Sequence, residues 1–545
     1  MASAAAQEVW RVARSGWLLW LALALVWFAA VPWHPLLDPD EGRYAEIPRE
    51  MLAQGDFVTP RLDGLQYFEK PPLQYWATAG AYALFGFREW TARLWTVGLG
   101  FLCLPLTFSF TRRLYGADGA ANAALALAVS PYFALLAHLN LLDAGFCFWL
   151  SLAVFAFALA QSAPERSAAE RRWMLIAWSA AALAVLTKGI VVGVLAGGSL
   201  ALYTVLEKDP RPWRRLHIGA GLALFLLIVV PWFALVSVRN PSFAQFFFVH
   251  EHFARFLTTV HQRVEPWYYF VPLLLLAALP WLPWLPGGIA AAYLESKPDR
   301  SFKPMKFCVI FCTVTFCFFS LSDSKLGSYI LPIMPSLAVV TGVHSCRRPG
   351  FLRFTAQSVA VLLLVLAAGL WFYAMHRYAQ VSTATTAWLA GAAATAAIGS
   401  ASVGYRRGIS TRRWGAAMAM AMLGWQCLLS AFAELPSRSA SALVASVRHE
   451  IHPQTELFSV GQYRETISPY LGRTLTLVDF EGELAFGLSL NSSGALSDAE
   501  FLARWNAAHD AVAFVSPRLL ESWRQRGLAG RVIGADHDTV VLSRT

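Results

Sequence analysis

Long apolar stretches separated by short basic loops dominate the first 432 residues of the chain. A helix needs about 20 mostly apolar residues to cross roughly 30 Å of hydrocarbon, and runs of this length recur along the sequence. The pattern predicts a polytopic α-helical membrane protein with about 13 transmembrane helices. The predicted spans lie near residues 16–33, 90–111, 117–136, 143–162, 173–187, 189–206, 217–237, 267–288, 306–320, 328–345, 354–374, 386–404 and 414–432.

Basic residues at the ends of these runs predict the orientation. The first run follows Arg11 and Arg14 and shows no small-residue cleavage motif, so we expect a retained span with the N-terminus inside. Alternate loops then carry the Lys and Arg pairs, as the positive-inside rule requires. Residues 34–89, residues 238–266 and the tail from about 433 are thereby predicted to be periplasmic.

The pattern changes near residue 433, where short amphipathic and strand-like stretches replace the apolar runs. This change predicts a periplasmic α/β domain over residues 433–545, after a transmembrane domain over residues 1–432 that carries the loops 34–89 and 238–266. Its expected elements are a helix over residues 440–451, a strand over 475–480, a helix over 499–508, and strands over 511–515 and 539–543.

Composition agrees with a chain that lies mostly in lipid. It is 57% hydrophobic and 14% charged, which a soluble domain could not expose without aggregating. The net charge of +10 is spread over span ends, so topology explains it better than nucleic acid does. The seven cysteines lie in or beside spans and encode no disulfide framework. No Walker loop, dinucleotide-binding turn or nucleophile elbow is present in the sequence.

Candidate chemistry begins directly after the first span. Four carboxylates lie within nine residues at a membrane boundary: Asp38, Asp40, Glu41 and Glu46. Removing these charges from water costs free energy unless the carboxylates are paired with cations or take part in binding or catalysis. On a helix that starts near Pro39, Asp40 lies one turn from Arg43. The alternative is a hydrated helix start whose acids are favoured by the macrodipole.

Two further charges sit at predicted outer span boundaries. Lys188 is placed outside against the usual trend, which favours a contact with a lipid-linked phosphate over simple snorkelling to the interface. Asp143 follows Asn140 in a short outer loop, where an N-cap for the next helix explains it equally well.

The later outer segments add aromatic and cationic candidates. Tyr329 and Lys325 lie in an outer turn before a span, and interface anchoring is the alternative for both. His250 and His252 fall in the loop 238–266 and could join Glu69 as ligands of a divalent ion such as zinc. Residues two apart point to different sides of a helix, so hydrogen bonds or phosphate contacts remain an alternative to a metal.

Three sequence motifs identify a family resemblance: residues 40–51 (DEGRYAEIPREM), residues 57–62 (FVTPRL) and residues 67–73 (YFEKPPL). They resemble the first outer loop of bacterial 4-amino-4-deoxy-L-arabinose lipid A transferases. These enzymes are C-type membrane glycosyltransferases related to the protein O-mannosyltransferases. The resemblance covers the whole chain, although its specific motifs lie before residue 100.

The resemblance implies an undecaprenyl-phosphate sugar donor, a lipid A acceptor in the bacterial inner membrane, and protection from polymyxin and other cationic peptides. It places Asp40 near the reacting centre and implies a second acid at Asp143. It implies a transfer that requires no cofactor or depends only weakly on a metal, so the divalent ion raised above stays an alternative. The transition state has a departing phosphate, so it needs cations there. The candidates are Arg43, Lys70, Lys188 and Arg255, with Tyr329 and Lys325 as further phosphate contacts.

Two alternatives remain open from the sequence. A related enzyme could use another polyprenyl-linked sugar, such as mannose or galacturonic acid, or glycosylate protein. A lipid or sugar transporter would also have many spans, but it predicts internal repeats and interrupted helices near the midplane. Asp40 would act as a general base for a hydroxyl acceptor, whereas a phosphate acceptor is already an anion and leaves Asp40 to orient the donor.

Overall fold

A computed structural model describes residues 16–254, 265–295, 301–346, 348, 350–378, 381–404, 411–436, 438–480 and 482–544. The side chains of residues 252–254, 402–404, 411–412 and 493 are outside this description. Helices form most of the described chain, as its apolar runs predict. In chain order α1 to α23 are Gly16–Phe28, Asp40–Gln54, Leu73–Phe85, Glu89–Tyr115, Ala117–Val129, Pro131–Ala137, Leu142–Ser162, Ala168–Lys188, Val191–Glu207, Arg211–Arg214, Ile218–Arg239, Phe270–Ala278, Leu285–Tyr293, Pro304–Leu321, Met334–Ser345, Phe351–Arg377, Thr383–Gly404, Thr411–Ala433, Ser441–Val447, Ile467–Leu471, Ala485–Leu490, Asp498–Ala507 and Leu520–Gln525.

The helices confirm the polytopic class, although fewer than expected pass a strict test. Among the described residues, eight helices are long and apolar enough to cross a membrane, or ten if each of two bent pairs is one span. Three predicted spans do not pass this test: α8, whose first turns carry Glu170, Arg171 and Arg172; α9, which has only 17 residues; and α17. The bent pairs contain prolines at the break, which remove a helical hydrogen bond.

Small residues allow close helix packing in the first compact unit, which comprises Met1–Val31, Trp95–Phe372 and Ala387–Leu429 and is called the helical unit below. A Cβ at Gly342 of α15 would lie 2.3 Å from the backbone nitrogen of Ala123 in α5. In membranes such close approach supplies the packing that the hydrophobic effect cannot.

The second compact unit, called the sheet unit below, comprises Pro32–Leu94, Tyr373–Thr386 and Ser430–Thr545. It holds a hairpin of β1 (Arg61–Leu62) and β2 (Leu65–Gln66) and a six-stranded sheet ordered β5-β4-β3-β6-β8-β7. Strands β3 to β6 are parallel, whereas β8 pairs antiparallel with both β6 and β7. The strands β3 to β8 are Glu456–Val460, Thr476–Val478, Ala495–Leu496, Ala511–Val515, Arg531–Ala535 and Val540–Ser543.

Helices cover both faces of the sheet, so its central strand is apolar throughout. All five residues of β6 are buried. Ala513 packs on the face that carries Phe501 and Trp505, whereas Phe514 packs on the face that carries Leu443. Burial on both faces is typical of parallel α/β sheets and explains a continuous apolar run in a polar region. The α/β character of the tail is thereby confirmed.

Residues Pro32–Leu94, which follow the first span, belong to the sheet unit. Helix α2 begins at Asp40 with Pro39 as its N-cap, close to the predicted start, and α3 follows the hairpin at Leu73–Phe85. The division at residue 433 stays a prediction, because the compact unit that contains the sheet also includes residues 32–94.

Candidate active site

Two of the four carboxylates after the first span, Glu41 and Glu46, are paired with arginines that lie within residues 32–94. The Nε and Nη2 of Arg93 donate to Glu41 at 2.7 Å each, and both side chains are almost fully buried. Glu46 accepts two hydrogen bonds from Arg49 one turn away, at 2.5 and 2.7 Å. These pairs offset the cost of burying charge and fix α2 in place.

Asp40 differs from these neighbours by its exposure. Its side chain is 43% exposed, and Oδ1 accepts a hydrogen bond of 3.0 Å from Nη1 of Arg43. The predicted one-turn spacing on a helix is therefore confirmed. A carboxylate that is both oriented by a guanidinium and open to solvent can reach a ligand, which the buried pairs cannot.

Arg43 is also held by two carboxylates of the C-terminal domain. Its Nε donates to Glu483 Oε1 at 2.9 Å, and Nη2 forms an ion pair with Glu483 Oε2 and lies 3.8 Å from Glu465 Oε1. Burial raises the pKa of Glu465 and of Glu483, and each carboxylate is close enough to interact with the other. Arg43 thus acts as the shared cation of three acids, which fixes its rotamer.

Buried phenols surround this guanidinium. The Cζ of Arg43 lies 5.8 Å from the ring centroid of Tyr44 and 5.9 Å from that of Tyr67. Burial raises the pKa of Tyr44 and Tyr67 far above the usual value, so both are neutral. The phenolic oxygens of Tyr67 and Tyr75 are buried without a hydrogen-bond partner among the described residues.

Glu69 and Lys70 lie beside the same cluster. Glu69 raises the pKa of Tyr67 through its charge, after the larger effect of burial, and it also contributes to the raised pKa of Glu483. The Nζ of Lys70 donates to the backbone oxygen of Glu69 at 2.9 Å and is 3.8 Å from its carboxylate. The structure therefore brings together four of the predicted residues in the sheet unit: Asp40, Arg43, Glu69 and Lys70.

The helical unit brings together a second predicted set. Lys188, the last residue of α8, forms an ion pair with Asp143 in the first turn of α7. Its Nζ lies 4.7 Å from the ring centroid of Tyr329 and 5.5 Å from that of Phe146. The alternative that Asp143 is an N-cap is wrong, because Leu141 occupies that position and the carboxylate points to Lys188. Two aromatic faces and one acid therefore hold this cation.

Lys325 has a different environment from the one predicted. Its Nζ donates to the backbone oxygens of Ser322 at 2.6 Å and of Glu265 at 2.9 Å, and the residue is buried. These contacts link the turn before Tyr329 to the segment that precedes α12. They favour a role in holding that turn over a contact with phosphate, which stays a prediction.

The loop 238–266 is described only in part. Residues Gln245–Ala254 form a π-helix, in which the ring of His250 stacks on Phe246 and its Nδ1 lies 3.4 Å from Glu251. The side chain of His252 and all of Arg255 lie outside the described residues. Within the described part of the chain no three His, Cys, Asp or Glu residues are grouped to hold a metal ion, so the zinc site stays a prediction.

Sequence reasoning missed Glu465 and Glu483, because it assigned no chemistry to the C-terminal domain. They lie more than 400 residues from Arg43 along the chain, so no local spacing connects them. The available signal was the charged pair Arg464-Glu465, which closely follows the apolar strand β3. Ligand-contacting residues commonly follow the carboxyl ends of parallel strands.

The fold defines a polytopic membrane protein class with an α/β unit, in which an exposed carboxylate is held by a buried guanidinium. The model of the dolichyl-phosphate-mannose-protein mannosyltransferase family matches residues 13–247, and that of the aminoarabinose transferase C-terminal domain matches residues 443–544. The fold matches ArnT from Cupriavidus metallidurans bound to undecaprenyl phosphate, with a TM-score of 0.85 and 34% identity over 97% of this chain and 98% of that one. The chain therefore belongs to the aminoarabinose transferase family.

Curated relatives agree with this family. The undecaprenyl phosphate-alpha-4-amino-4-deoxy-L-arabinose arabinosyl transferase of Pseudomonas aeruginosa (strain UCBPP-PA14) is 35% identical over 336 residues, which span 60% of this chain and 59% of that relative. The enzyme of the same name from Edwardsiella ictaluri is 28% identical over 532 residues, which span 93% of this chain and 94% of that one. A match of this extent includes part of the C-terminal domain.

Proposed function

We propose that this protein transfers 4-amino-4-deoxy-L-arabinose from undecaprenyl phosphate to phosphate groups of lipid A. The donor is the one named for the arabinosyl transferases that it resembles, and undecaprenyl phosphate is bound in the related crystal structure. The observation that carries the proposal is the solvent-open Asp40 held by the buried Arg43, on a fold of this family. Addition of an aminosugar cation to lipid A would mask its phosphates from polymyxin and other cationic peptides.

The reaction requires little proton chemistry when the acceptor is a phosphate. A lipid A phosphate oxygen attacks the anomeric carbon and forms a new carbon–oxygen bond. The bond from that carbon to the carrier phosphate breaks, and its electron pair leaves with undecaprenyl phosphate. Asp40 then orients the donor through a sugar hydroxyl or its ammonium, or offsets the developing oxocarbenium charge. For a hydroxyl acceptor it would remove the proton instead.

The departing phosphate is stabilised by cations in this proposal. Lys188 is the first candidate, because two aromatic rings and Asp143 hold its ammonium in place. Lys70 and Arg255 supply further positive charge, and Tyr329 supplies a hydroxyl donor. A divalent ion at Glu69, His250 and His252 stays part of the hypothesis, and metal analysis of the purified protein tests it separately.

The proposed orientation places the first outer segment, the loop 238–266 and the C-terminal domain on the periplasmic side of the bacterial inner membrane. The positive-inside pattern supports this orientation. Membrane-impermeant labelling of single cysteines introduced at exposed Arg504 and Lys208 tests it, because the two are expected on opposite sides. Labelling of both in intact cells would contradict the topology.

Transfer by purified protein tests the function directly. Radiolabelled undecaprenyl-phosphate aminoarabinose is incubated with lipid A, and undecaprenyl-phosphate mannose serves as the control donor. Labelled lipid A from the aminosugar donor alone is the expected result. Transfer from mannose alone would favour the related enzymes, whereas no transfer from either donor by folded protein would overturn the proposal and favour another sugar or transport.

A further inference from the structure

The chain immediately before α2 is attached to the loop that follows β3 through the side chain of Asp38. Its Oδ1 accepts the backbone N–H of Thr466 at 2.9 Å, and its Oδ2 accepts a hydrogen bond of 3.2 Å from Nε of Arg464. The backbone N–H of Asp38 also donates to the oxygen of Arg438 at 2.8 Å. Asp38 therefore has charged and backbone partners on the C-terminal domain, two residues before Asp40.

Arg464 is itself held in place by further partners in the C-terminal domain. Its Nη1 donates to Asp536 at 2.6 Å and to Thr539 at 3.2 Å, both in the turn between β7 and β8. The residue is only 7% exposed. A buried guanidinium with fixed partners offers a single geometry to the carboxylate of Asp38, unlike a mobile surface arginine.

Arg464 lies in the loop after β3, at an end of the sheet where α/β proteins commonly bind ligands. Strand β3 lies between β4 and β6, and the chain continues from β3 towards β4 and β5 on one side while β6 lies on the other. In open α/β sheets, the carboxyl end of the strand at such a switch point is where ligands bind. Here the loop at the carboxyl end of β3 binds the carboxylate of Asp38, which lies two residues before α2.

A close backbone contact completes the attachment. A Cβ at Gly42 would lie 2.5 Å from the carbonyl carbon of Glu465 and 2.6 Å from the nitrogen of Thr466. Glycine at this position allows the loop to lie directly on α2, which brings Glu465 near Arg43. Residues on both sides of Asp40 therefore contact the same three-residue loop.

We propose that Arg464 is a positioning residue for the transfer reaction, which acts by fixing Asp38 and, through it, the orientation of Asp40. The inference rests on the proposed function, because Asp40 must reach the donor for its orientation to matter. A shift of about 1 Å at a reacting group can reduce the rate about 100-fold, so a residue that touches no substrate can limit turnover.

Kinetics of Arg464→Gln, Asp38→Asn and the double variant test this role, with Arg504→Gln as the matched control. Arg504 pairs with Glu456 on an exposed part of the same domain. We expect kcat to fall about 10-fold or more in each single variant while the donor KM changes less than about 2-fold. The double variant should be no slower than the slower single variant, because both remove one interaction. Unchanged kcat in folded Asp38→Asn protein would overturn the inference.

Two additions keep the test decisive if Arg464→Gln does not fold. Gly42→Ala disturbs the same contact from α2 and should lower kcat without raising KM, whereas Arg464→Lys should recover part of the activity. Hydrogen–deuterium exchange over residues 38–46 should rise in Asp38→Asn and Gly42→Ala relative to the control, whether or not a donor is transferred. Unchanged exchange in both variants would refute the attachment of Asp38 to the loop after β3. If exchange rises in the variants but the wild-type protein transfers no sugar, the result would count against the proposed function alone.

Discussion

Asp40 and Arg43 lie one helical turn apart, and the guanidinium of Arg43 is buried while the carboxylate of Asp40 stays open to solvent. The arrangement separates two tasks: Arg43 carries the structural ion pairs to the C-terminal domain, and Asp40 remains able to meet a ligand. The two residues should therefore respond differently to substitution.

Asp40→Asn should lower turnover about 100-fold or more, because the amide lacks the charge that would orient the donor or remove a proton. Donor binding should be retained, since the amide keeps the size and hydrogen-bonding shape of the side chain. Transfer assays and donor binding are measured side by side. Asp498→Asn, at an exposed ion pair with Arg526, is the control. Turnover near that of the control would refute the assignment of Asp40.

Arg43→Lys should cost both stability and activity, because an ammonium cannot bridge Asp40 and Glu483 as the planar fork does. Breaking one partner of a buried ion pair costs about 3 kcal/mol or more, and we expect at least a 10-fold loss of turnover. Unfolding midpoints and kcat are compared with those of Arg531→Lys, where the replaced arginine pairs on an exposed surface. Equal behaviour of the two variants would contradict the shared-cation role.

Lys188→Met should raise the donor KM about 10-fold, because it removes a positioned charge from the proposed phosphate contact. Lys188→Arg should recover part of the affinity. The exposed Lys208 provides the control substitution to Met. A lower unfolding midpoint with an unchanged KM would indicate instead that Lys188 serves only to neutralise Asp143.

Lys325→Met should lower stability and leave the donor KM unchanged, in contrast to Lys188→Met. Its ammonium donates to two backbone oxygens, and charged hydrogen bonds of this kind each contribute about 1.5–3 kcal/mol. Thermal unfolding and donor titration of the same preparation separate the two effects. A large rise in KM with normal stability would restore the phosphate contact predicted from the sequence.

The stability of the sheet unit should fall as pH rises from about 5 to 8. Burial raises the pKa of Glu50 to about 8 and that of Asp63 to about 7, and nearby Glu46 adds to both effects while Arg49 opposes them. The folded protein therefore keeps protons that the unfolded chain releases, so folding is favoured below the raised pKa values and disfavoured as pH passes through them.

Glu50→Gln should flatten this pH dependence, because the neutral amide can still accept the N–H of Gly64. We expect the variant to match wild type near pH 5 and to exceed it by roughly 2 kcal/mol near pH 8. Unfolding curves at both pH values provide the measurement. If the free energy of unfolding changes with pH by the same amount in both proteins, Glu50 does not titrate in this range.

Local sequence patterns predicted helices and strands correctly where the residues of the element alone determine its secondary structure. The apolar run at 143–162 became α7, and the apolar strand at 511–515 became β6 within a sheet covered on both sides. Strand β3 was missed, although it is central, because the short Glu456–Val460 carries no alternation and is recognisable mainly by its neighbours. The alternative of Asp143 as an N-cap was wrong, because the helix already begins at Leu142 and the carboxylate pairs with Lys188.

The candidate site was predictable only as far as spacing reaches. Asp40 and Arg43 lie three residues apart on one helix, so helical spacing alone predicts the contact that the structure shows. The acids that hold Arg43, and the arginine that holds Asp38, come from the other end of the chain. Such pairs depend on tertiary packing, and a single sequence contains no signal that connects them.

The close approach of Gly42 to the loop after β3 limits how this protein can be recombined with its relatives. A chimera that takes the first outer segment from one enzyme and the C-terminal domain from another joins two surfaces with no room for an additional methyl group. Grafting residues 38–46 together with residues 464–466 should preserve function where exchange of either segment alone fails. For engineering, these two distant stretches of sequence should be transplanted as a single module.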